Sequence, residues 1–232
     1  MIYVASDFHG FPLELIIELF RKADFGSNDY CFILGDVIDR GDDGIKILRW
    51  IMQQPNVELI MGNHEAMMLT NREIIETMSE NRDRRSILLK LPKFQNWVSN
   101  GAMPTFNAMM LLRDSEQKYI FEYLEKCSLY VTLKLDGKEF ILTHSGLGRF
   151  SPDKPLERYT SYELLWYRPD LLERFYPDKT LIFGHTPTLF YGDKYAGRIM
   201  KNDTWIDIDA GAAFDFAPAL LRLDDMKEFY LE

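Results

Sequence analysis

The sequence predicts an α/β architecture, and three observations carry that reading. Short apolar runs alternate with helix-spaced apolar residues over positions 2–61. The middle of the chain is helical in pattern, and the second half returns to short strands, two of them flanking an Asp-Gly turn.

Taken in order, Ile2-Tyr3-Val4-Ala5-Ser6 reads as a first strand. It does not read as a signal peptide, because no basic segment leads into a long apolar one. Pro12 suits the first turn of a helix bearing Leu15, Ile16, Leu19 and Phe20. A strand over 30–34 follows, then a helix with Ile45, Ile47, Leu48, Ile51 and Met52 that ends before Pro55, then a strand over 57–61. Strand–helix–strand units of this kind imply a parallel sheet with right-handed crossovers.

From Glu65 to Lys126 the pattern is mostly helical, with a charge-rich break at 81–85 and a helix start at Asp114-Ser115-Glu116. This stretch is expected to form a helical insertion or cap. Asn71, Arg72 and Arg82 are expected on its solvated face, and Met67-Met68-Leu69 in the core. Strands over 129–135 and 139–143 flank Asp136-Gly137. A helical piece over 161–167 and strands over 180–183, 204–208 and 219–223 complete the chain, with Asp224-Asp225 turning the last pair.

At 232 residues, with 47% hydrophobic and 14% aromatic residues, the chain can bury a sizeable core as one domain. The net charge of −9 disfavours binding to a nucleic-acid duplex, which relies on clustered Lys and Arg. Only Cys31 and Cys127 are present, and Cys31 sits in an apolar run, so no disulfide framework is indicated. No apolar stretch is long enough to span a membrane. A cytoplasmic location follows as the expectation.

Three strand ends carry polar clusters: Asp7-Phe8-His9-Gly10, Gly35-Asp36 through Arg40-Gly41, and Gly62-Asn63-His64-Glu65. Ligands in open α/β sheets bind beyond the carboxyl ends of strands, so these clusters should meet. The chain has four histidines, and His9, His64, His144 and His185 all follow strand-like runs. One such histidine is more simply a hydrogen-bonded cap; all four at strand ends point to metal chemistry. Asp7, His9, Asp36, Asn63, His144 and His185 supply the imidazole and oxygen donors that a transition metal takes. Asp7 and His9 project to the same side of a strand end. Asp36 can bridge two ions roughly 3.5–4 Å apart. The absence of thiolate donors argues against a structural zinc site.

These motifs, with His144-Ser145-Gly146-Leu147 and Gly184-His185-Thr186, resemble in order the signature of the phosphoprotein phosphatase family. That family lies within the calcineurin-like metallophosphoesterase superfamily, and the likeness is to its bacterial and phage branch. Trp97, Asn100, Gly101 and Thr105 resemble a motif of its cap. The resemblance implies an αββα sandwich of two mixed sheets flanked by helices. It implies a single metallophosphoesterase domain over 1–232, with the cap at about 66–126. Ser6, Ala102 and Ser145 stand where glycine is frequent in the family.

The resemblance also implies roles. Asp7, His9 and Asp36 would hold one metal, and Asp36, Asn63, His144 and His185 the other. The ions would be divalent or trivalent transition metals, manganese first, with iron, zinc or cobalt as alternatives. Arg40, Arg168 and Asn63 would bind substrate phosphate. His64, oriented by Asp39, would be the general acid. Asp39 could instead cap the turn toward Gly41, and Arg168 could be a surface ion pair. Asp209 and Asp215 read as turn residues.

The implied reaction is direct hydrolysis, with a metal-bridging hydroxide attacking phosphorus and no phosphoenzyme. The expected substrate is a phosphoserine or phosphothreonine protein. The alternative is a symmetrical bis(5'-nucleosyl)-tetraphosphate or another small phosphoanhydride or phosphodiester, with Trp97, Phe106, Trp166 and Tyr167 as candidate stacking faces. A catalytically silent metal-binding module would have lost a ligand or the acid, and none is missing.

Overall fold

The computed structural model describes residues 1–79 and 90–231. The charge-rich stretch at 81–85, with Arg82, lies outside them. The first part of the chain comprises β1 (Ile2–Ala5), α1 (Leu13–Lys22), β2 (Tyr30–Ile33), α2 (Gly44–Gln53) and β3 (Val57–Leu59). Helices α3 (Asn63–Thr70), α4 (Arg72–Ser79), α5 (Leu91–Ser99), α6 (Met103–Met110) and α7 (Asp114–Leu124) follow. Then come β4 (Tyr130–Leu135), β5 (Lys138–Thr143), α8 (Ser161–Leu165) and β6 (Lys179–Phe183). The last elements are β7 (Met200–Lys201), β8 (Trp205–Asp207), β9 (Leu220–Arg222) and β10 (Lys227–Phe229).

Two mixed sheets form, ordered β10-β9-β1-β2-β3 and β4-β5-β6-β8-β7. The strands β1, β2 and β3 are parallel, as the crossover units predict, and so are β5, β6 and β8. Asp136 and Gly137 turn the β4–β5 hairpin with φ of 48° and 78°. Both residues of a type I′ hairpin turn need positive φ, which explains this pair.

Side-chain alternation builds three layers of core. Between the sheets, Val4, Phe32, Leu34 and Ile60 meet Phe140, Leu142, Ile182 and Ile206. On the outer face of the first sheet, Tyr3, Ala5, Cys31 and Ile33 pack with Ile16, Leu19, Ile47 and Leu48 of α1 and α2. On the outer face of the second, Ile141, Leu181 and Phe183 pack with Leu164, Phe175 and Tyr176. The result is the αββα sandwich of two mixed sheets flanked by helices.

Several details depart from the sequence reading. Pro12 stands just before α1 instead of within its first turn. Helix α3 begins at Asn63, two residues ahead of the helical pattern read from Glu65, so Asn63 and His64 lie in its first turn. Asn71 is buried, not solvated: its Nδ2 donates to Met67 O at 2.8 Å. Arg72 is half-buried, over the ring of Phe121 and paired with Glu76 and Glu125. The two-residue β7 carries too few apolar residues to be read from sequence. Cys31 is buried, burial pushes its thiol pKa up, and both cysteines are free. Among the described residues no helix is long and apolar enough to cross a membrane.

Candidate dinuclear metal centre

Five parallel strand ends deliver the predicted side chains to one place. Asp7 follows β1, Asp36 follows β2, Asn63 opens the helix after β3, and His144 and His185 follow β5 and β6. The loops are tied to one another by backbone bonds: Asp7 N to Gly35 O (3.1 Å), His9 N to Asp36 O (2.9 Å) and Gly184 N to His144 O (2.8 Å). Asp7, His9, Asp36, Asp39, Arg40 and His185 all adopt positive φ, between 43° and 69°. Left-handed backbone costs a non-glycine residue about 1 kcal/mol or more, so the surrounding bonds must hold these turns. Two glycines give the carboxylates room. A Cβ on Gly184 would lie 2.0 Å from Asp7 Oδ2, and one on Gly62 would lie 2.3 Å from Asp36 Oδ1.

Asp36 is the hub. Its Oδ2 lies 3.7 Å from His9 Nε2, 3.8 Å from His64 Nε2 and 3.5 Å from His144 Nε2. Its Oδ1 accepts the backbone N–H of His64 at 3.0 Å. Asp7 Oδ1 is 3.8 Å from His9 Nε2, and Asn63 Oδ1 is 2.8 Å from His144 Nε2. His185 joins Asp36 and His144 in a second close group, and His9, Asp36 and His64 form the first. Asp7 Oδ2 accepts the backbone N–H of His185 at 2.9 Å, stitching the two groups together.

Carbonyls fix the ring tautomers. Leu34 O takes Nδ1–H of His144 at 2.6 Å, and Ile38 O takes Nδ1–H of His9 at 3.3 Å. With that tautomer Nε2 of an uncharged ring is an acceptor, and here it faces acceptor oxygens. Such a set needs cations between its members, and second-sphere carbonyls of this kind commonly orient ligand histidines. Asp7 Oδ1 is buried without a hydrogen-bond partner, which fits the same demand. The donor set therefore fits a pair of transition-metal ions.

The electrostatics agree. Burial drives the His9 pKa well below its ordinary value, with His64 and Arg40 adding to the shift against Asp36. Burial, with the charges of His144 and Arg168, lowers that of His185 to about 2. Both rings are thus neutral, the state a metal requires. Burial opposes ionisation of Asp36, but attraction to the histidines around it, His144 and His64 foremost, outweighs it and holds its pKa below the usual range. Burial raises the pKa of Asp7 well above its usual value, with the charges of Asp209 and Asp36 adding.

His64 differs from His9 and His185. Its Nδ1–H donates to Asp39 Oδ2 at 2.6 Å, while the backbone O of Asp39 accepts Gly41 N–H at 2.9 Å. The same Oδ2 accepts Trp97 Nε1–H at 2.7 Å. Burial works against charge on His64, yet the charge of Asp36 and the bond to Asp39 outweigh it and raise its pKa.

Glu65 was visible only as part of a motif, but it clamps the site. Its Oε2 accepts Asp36 N (2.8 Å) and Gly62 N (3.2 Å); its Oε1 accepts Val37 N (2.9 Å) and Ile38 N (3.3 Å). Burial and the charge of Asp36 push its pKa up to about 7, against the pull of those backbone donors.

A narrow cleft of about 60 Å³ opens over the group. Arg40 and Arg168 line it from exposed positions, and Arg40 Nη2 reaches within 3.5 Å of His64 Nε2. Trp166 lines it too, with its ring 6.2 Å from that of His185. Phe190 and Phe214, which sequence reasoning missed, stand on the wall as a T-shaped pair with centroids 5.4 Å apart. Of the other expected stacking faces, Trp97 and Phe106 are buried, and the Tyr167 hydroxyl is engaged by Glu173. Asp215 is a left-handed turn residue as expected. Asp209 is more than that: its Oδ1 accepts Gly211 N at 2.9 Å, but the side chain is buried and lines the cleft. Burial raises its pKa to about 7, the Gly211 bond and the arginine charges lowering it and Asp36 raising it.

Comparison with known proteins places this geometry. The description of calcineurin-like phosphoesterases matches residues 1–211. Serine/threonine-protein phosphatase 2 of Escherichia coli is 32% identical over 125 residues, 54% of this chain and 47% of that protein. The symmetrical bis(5'-nucleosyl)-tetraphosphatase of Chromobacterium violaceum is 35% identical over 74 residues, 31% of this chain and 26% of that protein. The matches therefore span between a quarter and a half of those relatives. A solved candidate diadenosine tetraphosphatase superposes with a TM-score of 0.68 at 15% identity, covering 99% of this chain and 92% of its own. A protein serine/threonine phosphatase from Saccharomyces cerevisiae does so with a TM-score of 0.54 at 16% identity, covering 100% and 80%. At those identities the two structures share the fold. With the family match running from the first strand past every motif described above, this chain belongs to the calcineurin-like phosphoesterase family.

Proposed function

We propose that the chain is a two-metal phosphomonoester hydrolase acting on phosphoserine and phosphothreonine in proteins. The observation that carries the hydrolase reading is Asp36 Oδ2, with three imidazole Nε2 atoms 3.5–3.8 Å away. Asp7, His9 and Asp36 would hold one ion; Asp36, Asn63, His144 and His185 would hold the other. The donors suit manganese, iron, zinc or cobalt. When bound, such a pair activates water and offsets phosphate charge.

The protein's own residues supply the rest. The forked guanidiniums of Arg40 and Arg168 would grip the phosphoryl oxygens and orient phosphorus. His64, protonated and fixed through Asp39, would hand its Nε2 proton to the departing serine or threonine oxygen. No cysteine is needed, and burial raises the thiol pKa of both Cys31 and Cys127. The helices of the segment 66–126 would act as a cap over one side of the cleft, within a single domain over 1–232.

The choice of a protein substrate is supported by the Escherichia coli serine/threonine phosphatase, which aligns with 54% of the chain. A second reading, hydrolysis of a symmetrical dinucleoside tetraphosphate, is favoured by the aromatic faces of Trp166, Phe190 and Phe214 along the cleft. Nucleobases stack on such rings. The deciding experiment compares kcat/KM for a phosphoserine peptide and for diadenosine tetraphosphate, with manganese and with chelator. The first reading expects metal-dependent turnover that favours the peptide; a preference for the dinucleotide overturns it in favour of the second. Absence of turnover on any phosphoester would remove both.

A further inference from the structure

We propose that Trp97 is a positioning residue for the acid step, setting the direction of His64 through Asp39, with Thr105 as its companion. This rests on the hydrolase reading above and adds the groups that hold the acid in register. Asp39 is fully buried and backbone-strained, at φ 68°. Its Oδ2 sits between two donors, His64 Nδ1 at 2.6 Å and Trp97 Nε1 at 2.7 Å. Its Oδ1 has no hydrogen-bond partner.

Two further bonds fasten the same turn to the same helical segment. Asp39 N–H donates to Thr105 Oγ1 at 2.8 Å, and Arg40 N–H donates to Gly101 O at 2.9 Å. Trp97 and Thr105 are themselves buried, on α5 and α6. The turn that carries both the partner of the acid and an arginine of the cleft is thus pinned from residues 97–105.

Trp97 therefore does more than fill space. An indole N–H has a fixed direction, and it selects which carboxylate oxygen faces the imidazole. Without it Asp39 is free to rotate, exchange Oδ1 for Oδ2, and let the ring of His64 tilt. His64 Nε2 then loses its aim at the leaving oxygen, while Asp7, His9, Asn63, His144 and His185 make no contact with Trp97 through this bond. A residue that acts only by packing would slow every substrate alike. One that acts through the acid slows substrates in proportion to how badly their leaving group needs a proton.

The test uses that difference. Trp97→Phe keeps the ring and deletes the donor. It is assayed on a phosphoserine peptide, whose alkoxide needs protonation, and on 2,4-dinitrophenyl phosphate, whose phenolate does not. A positioned acid supplies about 10²–10⁴-fold. The expected result is loss of about 10–100-fold in kcat on the peptide, unchanged KM, and loss of at most about threefold on the activated ester. Equal losses on both esters, or none on the peptide, overturn the proposal.

If Trp97→Phe does not fold, Thr105→Val against Thr105→Ser carries the same comparison, with the hydroxyl-bearing variant rescuing peptide turnover. A readout independent of turnover is the His64 Nδ1–H proton resonance in metal-free protein. It should be downfield and slow to exchange in the wild type, and broadened or shifted upfield in Trp97→Phe. An unchanged resonance overturns the proposal even if the hydrolase reading itself fails on every phosphoester.

Discussion

Replacing Glu65 with glutamine should cost the protein a large part of its stability, although the side chains are nearly the same size. Glu65 is fully buried and gives each carboxylate oxygen to two backbone N–H groups. A glutamine keeps one acceptor oxygen and turns its amide donors against the other pair of N–H groups. At best one pair stays satisfied, and two buried donors are orphaned. Each orphaned donor costs about 1–3 kcal/mol, so the loss is about 2–6 kcal/mol. That is a substantial share of the ~5–15 kcal/mol that holds a typical domain folded. Three of the four donors belong to residues 36–38, so the loop carrying Asp36 loosens and divalent-ion affinity should fall ~10–100-fold, as for other second-sphere changes. Denaturant unfolding of the metal-free variant measures the first effect, read from the midpoint at unchanged slope. A Glu65→Gln protein within about 0.5 kcal/mol of wild type, the ordinary range for surface substitutions, would refute the reasoning.

Other expected outcomes follow from particular side chains. His64→Asn should retain near-normal metal content by elemental analysis while peptide dephosphorylation falls by about 10²–10⁴. His64 Nε2 stands 3.8 Å from Asp36 Oδ2, so loss of metal instead would make it a ligand and remove it as the acid. Arg168→Ala should weaken competitive inhibition by inorganic phosphate by about tenfold or more, the worth of a charged hydrogen bond of roughly 1.5–3 kcal/mol; an unchanged inhibition constant would return Arg168 to the role of a surface cation. Glu163 accepts from Lys154 and from Thr160 at the start of α8, and these partners depress its pKa to about 2. A depressed carboxylate stabilises the fold above its unfolded value near 4.5 and loses that contribution as pH falls toward 2. Glu163→Gln should therefore be less stable than wild type at neutral pH, and the gap should close by about pH 2; a gap that persists there would show a packing effect.

Much of this was legible in the chain itself because it depends on local rules. Apolar runs of four to six residues ended in polar clusters, and β1, β2, β5 and β6 follow them to within a residue or two. The Asp136-Gly137 signal placed the hairpin correctly. Asp7, His9, Asp36, Asn63, His144 and His185 could be grouped because parallel strands deliver their carboxyl ends to one edge. Contacts between distant segments were not legible. The bond from Trp97 to Asp39 joins residues 58 positions apart, and that from Asp39 to Thr105 spans 66. No periodicity in α5 or α6 distinguishes a buried aromatic from one facing a cleft, so Trp97 and Phe106 were read as stacking faces while Phe190 and Phe214 were not. Asn71 was misread for a related reason. An amide that bonds back to its own helix is indistinguishable in sequence from a solvated one. Asp209 looked like a turn residue because it is one; only the tertiary fold adds the cleft.

The central claim is that Asp36 is shared between two cations. Anomalous diffraction from crystals of the manganese-loaded protein tests it directly. Two peaks roughly 3.5–4 Å apart are expected on either side of the Asp36 carboxylate, one toward Asp7 and His9 and one toward Asn63, His144 and His185. A single peak, or peaks not in contact with Asp36, would contradict it.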